Sequence, residues 1–391
     1  VANTGGTTPT LTLDTALTFT PANGDTYEIL AGRVFMLSAS TLAATIYRSF
    51  EVATNTLTSL SNTNLPATIG TDTAFCALDE LYVPYNQKPG EGFVIGAGQY
   101  DGTSKYCLTA TATAAGSITG QASGGDASVL LNEYRNFQIR IVEDTATPTA
   151  VNQRAMIASH TAGASPVYTL GTNWSVTPSA TAKFVIEYPN LIIARSSANT
   201  TMYTYNYSGL TVNNGTTSIA SNAWSTTYFG AAANADGAGV TWVPSFGIQP
   251  DTVKNARHSF IFCFRGGASV NCDLLNIAGG TTGLWTAAVV YDGNAKTMTT
   301  GACGCYAPFD NEGRFGYINS YTASLVNQVF RFDVKNRIFS PVTSTDFIQS
   351  GTAAVGGRIA AYVAIDDSEK YTVVLLTAHT STVSQELIVQ I

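Results

Sequence analysis

The sequence predicts an all-β protein, and within that class a β-propeller of about seven four-stranded blades. Three observations predict it. An apolar strand followed by a second, alternating strand recurs seven times. The first strands open near Val34, Phe93, Ala155, Leu191, Phe260, Phe315 and Ile359, and the second near Tyr47, Tyr106, Tyr168, Tyr203, Asp273, Phe330 and Val373. The inner offsets are nearly constant, at 13, 13, 13, 12, 13, 15 and 14 residues. Such repetition marks units that cannot bury both faces alone and stack on their neighbours. Finally, no window of a dozen residues sustains an apolar stripe of helical period without Gly, Pro or β-branched interruption.

Each element follows from this pattern. Leu11-Thr12-Leu13, Leu17 to Thr20, Phe137 to Ile141 and Val329 to Val334 alternate with period two, which is strand patterning. Asn23-Gly24, Asp101-Gly102, Asn214-Gly215 and Asp292-Gly293 are hairpin-turn signals. Unit starts are separated by 59, 62, 36, 69, 55 and 44 residues, so insertions are expected after Val52, after Tyr106 and around Asp236. Trp174, Trp224 and Trp285 fall near unit ends, where an outer strand packs a large ring between blades. Residues 1–30 are read as an N-terminal strand segment, with Thr10 to Thr20 donated to close the ring, and 31–391 as the propeller. Val1 to Gly6 read as the middle of a longer chain, so a preceding segment is expected. Six blades, or tandem β-sandwiches, are the alternatives, because their strand lengths look alike.

Composition narrows the functional classes. The chain has 391 residues, 45% of them hydrophobic, and can bury a large core. Charged residues make up only 12%, about half the usual share, and Thr, Ser, Asn and Gly solvate the surface instead. A net charge of −7 with scattered basic residues argues against nucleic acid as a partner. Apolar runs such as Tyr371 to Leu376 are too short to span a bilayer.

Sites of chemistry are sparse. The three histidines, His160, His258 and His379, share no short spacing, and no Cys-x-x-Cys or His-Glu-x-x-His set offers a metal centre. Cys303-Gly304-Cys305 reads as two thiols in a loop. Cys263 and Cys272 could bridge only if their strands are adjacent. Glu143-Asp144 and Asp366-Asp367 sit beside turns, and adjacent strand residues point to opposite faces, so neither pair suits glycoside cleavage. Asp310 to Gly313 and Gly124 to Asp126 read as capped turns rather than calcium loops. Tyr203, Tyr205 and Tyr207 share one strand face, which suits packing between blades better than a glycan platform. Sequons such as Asn206-Tyr207-Ser208 are expected by chance. No catalytic, cofactor-binding or metal-binding residue is assigned, and no cofactor is expected.

The unit Phe260 to Phe264, Arg265-Gly266-Gly267, Asp273 to Asn276 and Trp285 resembles a kelch repeat, which implies blade architecture. The stretches Tyr27 to Phe35, Gln349 to Ala360 and Tyr371 to Ile391 resemble structural proteins of tailed bacteriophages. That resemblance implies a virion component of head, neck, tail or fibre, located in the particle, and nothing about chemistry; with no catalytic constellation in the sequence, a non-enzymatic structural role is expected. Its partners would be other virion proteins and further copies of itself in a symmetric assembly. A propeller that binds or cleaves host surface glycans is the alternative.

Overall fold

The computed structural model describes residues 2–3, 11–12, 33–37, 47–51, 56–65, 74–78, 107–120, 131–187, 189–195, 200–231, 241–245, 260–264, 271–290, 303–307, 315–321, 327–333, 338–341, 359–365, 371–378 and 384–390. Among them there is no α-helix, only one 3-10 turn at Pro148–Ala150. The all-β class is therefore observed, with antiparallel pairing throughout the described strands.

From the N-terminus, β1 (Ala2–Asn3) and β2 (Leu11–Thr12) pair with each other. A meander follows, of β3 (Arg33–Leu37), β4 (Tyr47–Glu51) and β5 (Thr56–Ser59). Strand β6 (Ala74–Ala77) opens a second sheet, which the chain leaves at once. It builds β7 (Leu108–Ala114), β8 (Ser117–Gly120), β9 (Gln138–Glu143), β10 (Arg154–His160), β11 (Val167–Leu170) and β12 (Lys183–Glu187). These six close into a barrel in the order β10-β11-β8-β7-β12-β9.

Only then does β13 (Leu191–Arg195) return to pair with β6, and the Leu78 N–H donates to the Leu191 carbonyl at 2.8 Å where the two crossings meet. Next come β14 (Tyr203–Asn206), a small hairpin of β15 (Val212–Asn213) and β16 (Ser218–Ile219), and β17 (Ala223–Ser225). The second sheet thus has the order β17-β14-β13-β6. Three meanders complete the chain. The first is β18 (Thr241–Ser245), β19 (Phe260–Phe264), β20 (Asn271–Asn276) and β21 (Leu284–Val290). The next is β22 (Cys303–Ala307), β23 (Phe315–Tyr321), β24 (Asn327–Asp333) and β25 (Ile338–Pro341). The last is β26 (Ile359–Ile365), β27 (Tyr371–Ala378) and β28 (Ser384–Gln390).

Six of the seven repeated strand pairs are hydrogen-bonded neighbours: β3/β4, β10/β11, β13/β14, β19/β20, β23/β24 and β26/β27. The Phe93 copy lies outside the described residues, as does most of the Thr10 to Thr20 segment. One copy differs from expectation. The Ala155 pair, β10/β11, is no separate blade but part of the closed barrel, because β9 and β8 claim its two outer edges. The described strands therefore show the all-β class and a closed barrel but not a ring of seven blades. The first strands of successive sheets nevertheless lie side by side, β6 against β18, β18 against β22, and β22 against β26.

One apolar core runs from the barrel into the sheets. Ile118, Ile139, Ile157, Tyr168 and Phe184 fill the barrel, in continuity with Leu191, Ile193, Ile261, Phe264, Phe330 and Phe332. Gly120 leaves room for the Phe184 ring, because a Cβ there would lie 2.5 Å from the ring's Cζ. Strand β13 alternates between two cores. Leu191 and Ile193 enter the first, while Ile192 and Ala194 join Tyr47, Tyr203, Tyr205 and Trp224 in a second. A strand buried on both faces reads as the continuous apolar run seen here.

The tryptophans divide. Trp224 lies on the outer strand β17 and packs on Tyr47 of the preceding sheet at 5.0 Å, its Nε1–H donating to the Ser61 carbonyl. Trp285, on outer strand β21, donates to the Phe229 carbonyl beyond the second sheet. Trp174 instead follows β11 and binds the β7–β8 turn through its backbone N–H to Ala115. Among the cysteines, the register sets Cys263 against Asp273 and Phe264 against Cys272, so the two thiols face opposite sides and no bridge joins them. Cys303 and Cys305 lie on strand β22, not in a loop, because both pair with β23.

Candidate functional site

Polar side chains converge at three places, two on the barrel and one between the sheets. The turn 131–136 is bonded to the end of β10. The Asn132 Oδ1 accepts the His160 N–H, and the Asn132 N–H donates to the His160 carbonyl. The His160 ring is buried among Tyr134 and Tyr168, at 5.8 and 5.2 Å between centroids. Its Nε2 accepts the Tyr134 N–H at 2.8 Å, which leaves Nδ1 to donate to the Thr161 carbonyl at 2.9 Å. Both ring nitrogens are committed, so the ring is neutral and holds the turn on the barrel. Burial pushes its pKa down, and Arg135 adds to the shift. Burial likewise pushes the Tyr168 phenol up, with Tyr134 and Glu133 adding to it. This is a histidine used as a structural fastener, without an accessible nitrogen for a ligand.

On the outer barrel wall Glu187 accepts from both Arg140 and Arg154, at 3.1 and 3.3 Å. The Gln138 Nε2 completes the group, donating to Glu187 at 2.8 Å and to Asn190 at 3.3 Å. Period two puts Gln138, Arg140 and Val142 outside while Ile139 and Ile141 point inward. Glycoside cleavage needs a second carboxylate facing the first. The nearest candidate on β9, Glu143, lies at the strand's far end opposite Lys183. Glu187 is thus an anchor for two guanidiniums.

The third cluster joins neighbouring sheets. Arg195 ends β13 and Asp273 lies in β20; both are fully buried and pair at 3.2 Å. The same Nη1 also donates to the Cys263 Sγ at 3.2 Å. Two amides then fasten the barrel side to the third sheet. The Asn136 Nδ2 donates to the carbonyls of Ile277 and Gly280, and the Asn214 Nδ2 to those of Thr281 and Tyr228. Gly171, after β11, sits so close to the Asn213 carbonyl that a Cβ there would overlap its oxygen.

The residues singled out in the sequence fall as follows. Asp144 caps a turn, accepting from Thr147 N–H and from the N–H and hydroxyl of Ser179. Burial pushes its carboxyl up, but those hydrogen bonds outweigh it and hold the pKa below the usual carboxylate value. Glu143 is exposed beside it and does not share its contacts. Tyr203 and Tyr205 are buried between sheets, and Tyr207 packs against them, so this stripe is packing. Asn206 is buried with its amide bonded to Leu210 and Ile219 and its oxygen to Ser208. Asn214-Gly215 is a tight turn, with Gly215 at φ +90°. His258, His379, Asp366, Asp367, Asp310 to Gly313 and Gly124 to Asp126 lie outside the described residues.

Among the described residues no group of three His, Cys, Asp or Glu side chains is placed to hold a metal ion. Sequence reading missed Arg195, Asp273, Asn136 and Glu187. Their partners are far away along the chain, and no local motif announces them. Comparison with protein-family models, curated proteins and solved structures finds no match to this chain.

Proposed function

We propose that the chain is a non-enzymatic structural component of a bacteriophage virion, a rigid module that acts by shape and contact. The carrying observation is the barrel inserted between β6 and β13, sharing one apolar core with the sheets. A module tethered by two adjacent crossings and a common core holds its orientation under load better than one on a single linker. Each polar cluster serves to join elements, which is the economy of a scaffold.

In this reading the five described sheets of three or four strands are propeller blades, with β6, β18, β22 and β26 as inner strands around one axis. Aromatic contacts between successive sheets favour that arrangement: Tyr47 with Trp224, and Phe264 with Phe332 and Phe339. The barrel replaces a blade and projects from the ring. Low charge and abundant Thr and Asn suit hydrogen-bonded interfaces with other virion proteins. Immunogold labelling of purified particles of the encoding phage tests this reading. Gold at one repeated position supports it; labelling confined to the unassembled fraction of the lysate contradicts it.

A further inference from the structure

We propose that β5 is a self-pairing edge, through which two copies of this chain join as an antiparallel ladder about a two-fold axis at Thr58. Among the described residues strand β5 pairs with β4 alone, and all four of its residues are exposed, Leu57 at 49%. The Leu60 N–H donates to the Tyr47 carbonyl at 2.9 Å, which fixes 60/47 as a hydrogen-bonded pair. Antiparallel ladders alternate, and the register sets Thr58 on Ser49 and Leu57 on Phe50. Leu57 and Ser59 therefore direct their N–H and C=O groups away from β4.

An open edge invites pairing unless something blunts it. The other outer edges are blunted. Strand β17 has three residues, β21 pairs through a bulge between Cys272 and Leu274, β25 ends in Pro341, and β28 contains Glu386. Strand β5 has no charge, no proline and no bulge in its pairing with β4.

The occupant follows from charge and symmetry. A chain of net charge −7 is repelled by its own copy over most of its surface, but the segment Thr56 to Asn64 carries no ionisable side chain. A two-fold axis at Thr58 sets Leu57 of one copy opposite Ser59 of the other. Each outward N–H then meets an outward C=O, giving four hydrogen bonds in an isologous contact. This deepens the assembly reading and rests on it. Particle labelling tests that reading, whereas the experiment below tests the contact alone.

Sedimentation equilibrium of the purified full chain is the test. The wild type is expected to form a reversible dimer. Ser59→Pro removes only an outward donor, which an edge strand tolerates, and raises the dimer dissociation constant at least about tenfold. Thr58→Lys and Thr58→Glu each weaken the dimer alone, and mixing the two restores it, because the residue-58 side chains face each other across the axis. A monomeric wild type, a Ser59→Pro dimer as tight as wild type, or a mixture no tighter than either variant alone overturns the proposal.

Discussion

His160 holds the turn 131–136 on the barrel by accepting a backbone N–H at Nε2, which a protonated ring cannot do. Its folded pKa lies below the 6.5 of a free histidine, lowered by burial. The unfolded chain therefore binds this proton first as pH falls. The stability it contributes is complete above about 6.5 and declines below it, by at most about 1.4 kcal/mol per pH unit. Melting curves between pH 7.5 and 5, as working conditions of about that span, should show this loss in the wild type and a flatter profile in His160→Gln. An identical profile in the variant would assign the acid sensitivity elsewhere. The buried Arg195–Asp273 pair makes a second residue-scale prediction. Arg195→Met strands a buried carboxylate and should cost about 3–5 kcal/mol by urea denaturation. Adding Asp273→Leu should recover most of that, since the charge then has no partner to lack. Neither role was legible in the sequence. A lone histidine and an Arg and Asp far apart in the chain show no spacing, because backbone groups and distant strands supply their partners.

At the scale of elements, the offset of about thirteen residues proved to be a hairpin length. It identified strands that pair, as Leu191 does with Asn206 and Phe260 with Asn276. It could not say which sheet a hairpin joins. Strands β10 and β11 fall within the length range of the other pairs, yet their edges pair with β9 and β8 and complete a barrel. Trp224 and Trp285 were legible as rings at outer strands, since unit ends mark where those strands fall. Trp174 was not, because a tryptophan on a barrel turn looks the same in sequence. The seating of the barrel rests on Gly171, whose missing Cβ admits the Asn213 carbonyl. Gly171→Ala should cost about 1–3 kcal/mol through forced displacement. Amide exchange should quicken at Gly171, whose N–H bonds the Met156 carbonyl. Unchanged exchange there would mean that the hairpin β15–β16 does not clamp the barrel.

Across the whole molecule, the all-β class follows from period-two alternation and the lack of helical stripes. The insertion does not, since sequence order hides that β6 and β13 are neighbours. The described polar clusters fasten barrel to turn, sheet to sheet and barrel to sheet, and the proposed role as a contact-bearing part rests on them. The most direct test of the proposed virion role is a cryo-electron microscopy reconstruction of the phage particle in which that role would place the chain. A virion component is expected as symmetry-related copies in the particle, each with its sheets fixed against neighbouring subunits and its barrel in one orientation. A reconstructed particle complete in all its protein density, with no copy of this fold, contradicts it.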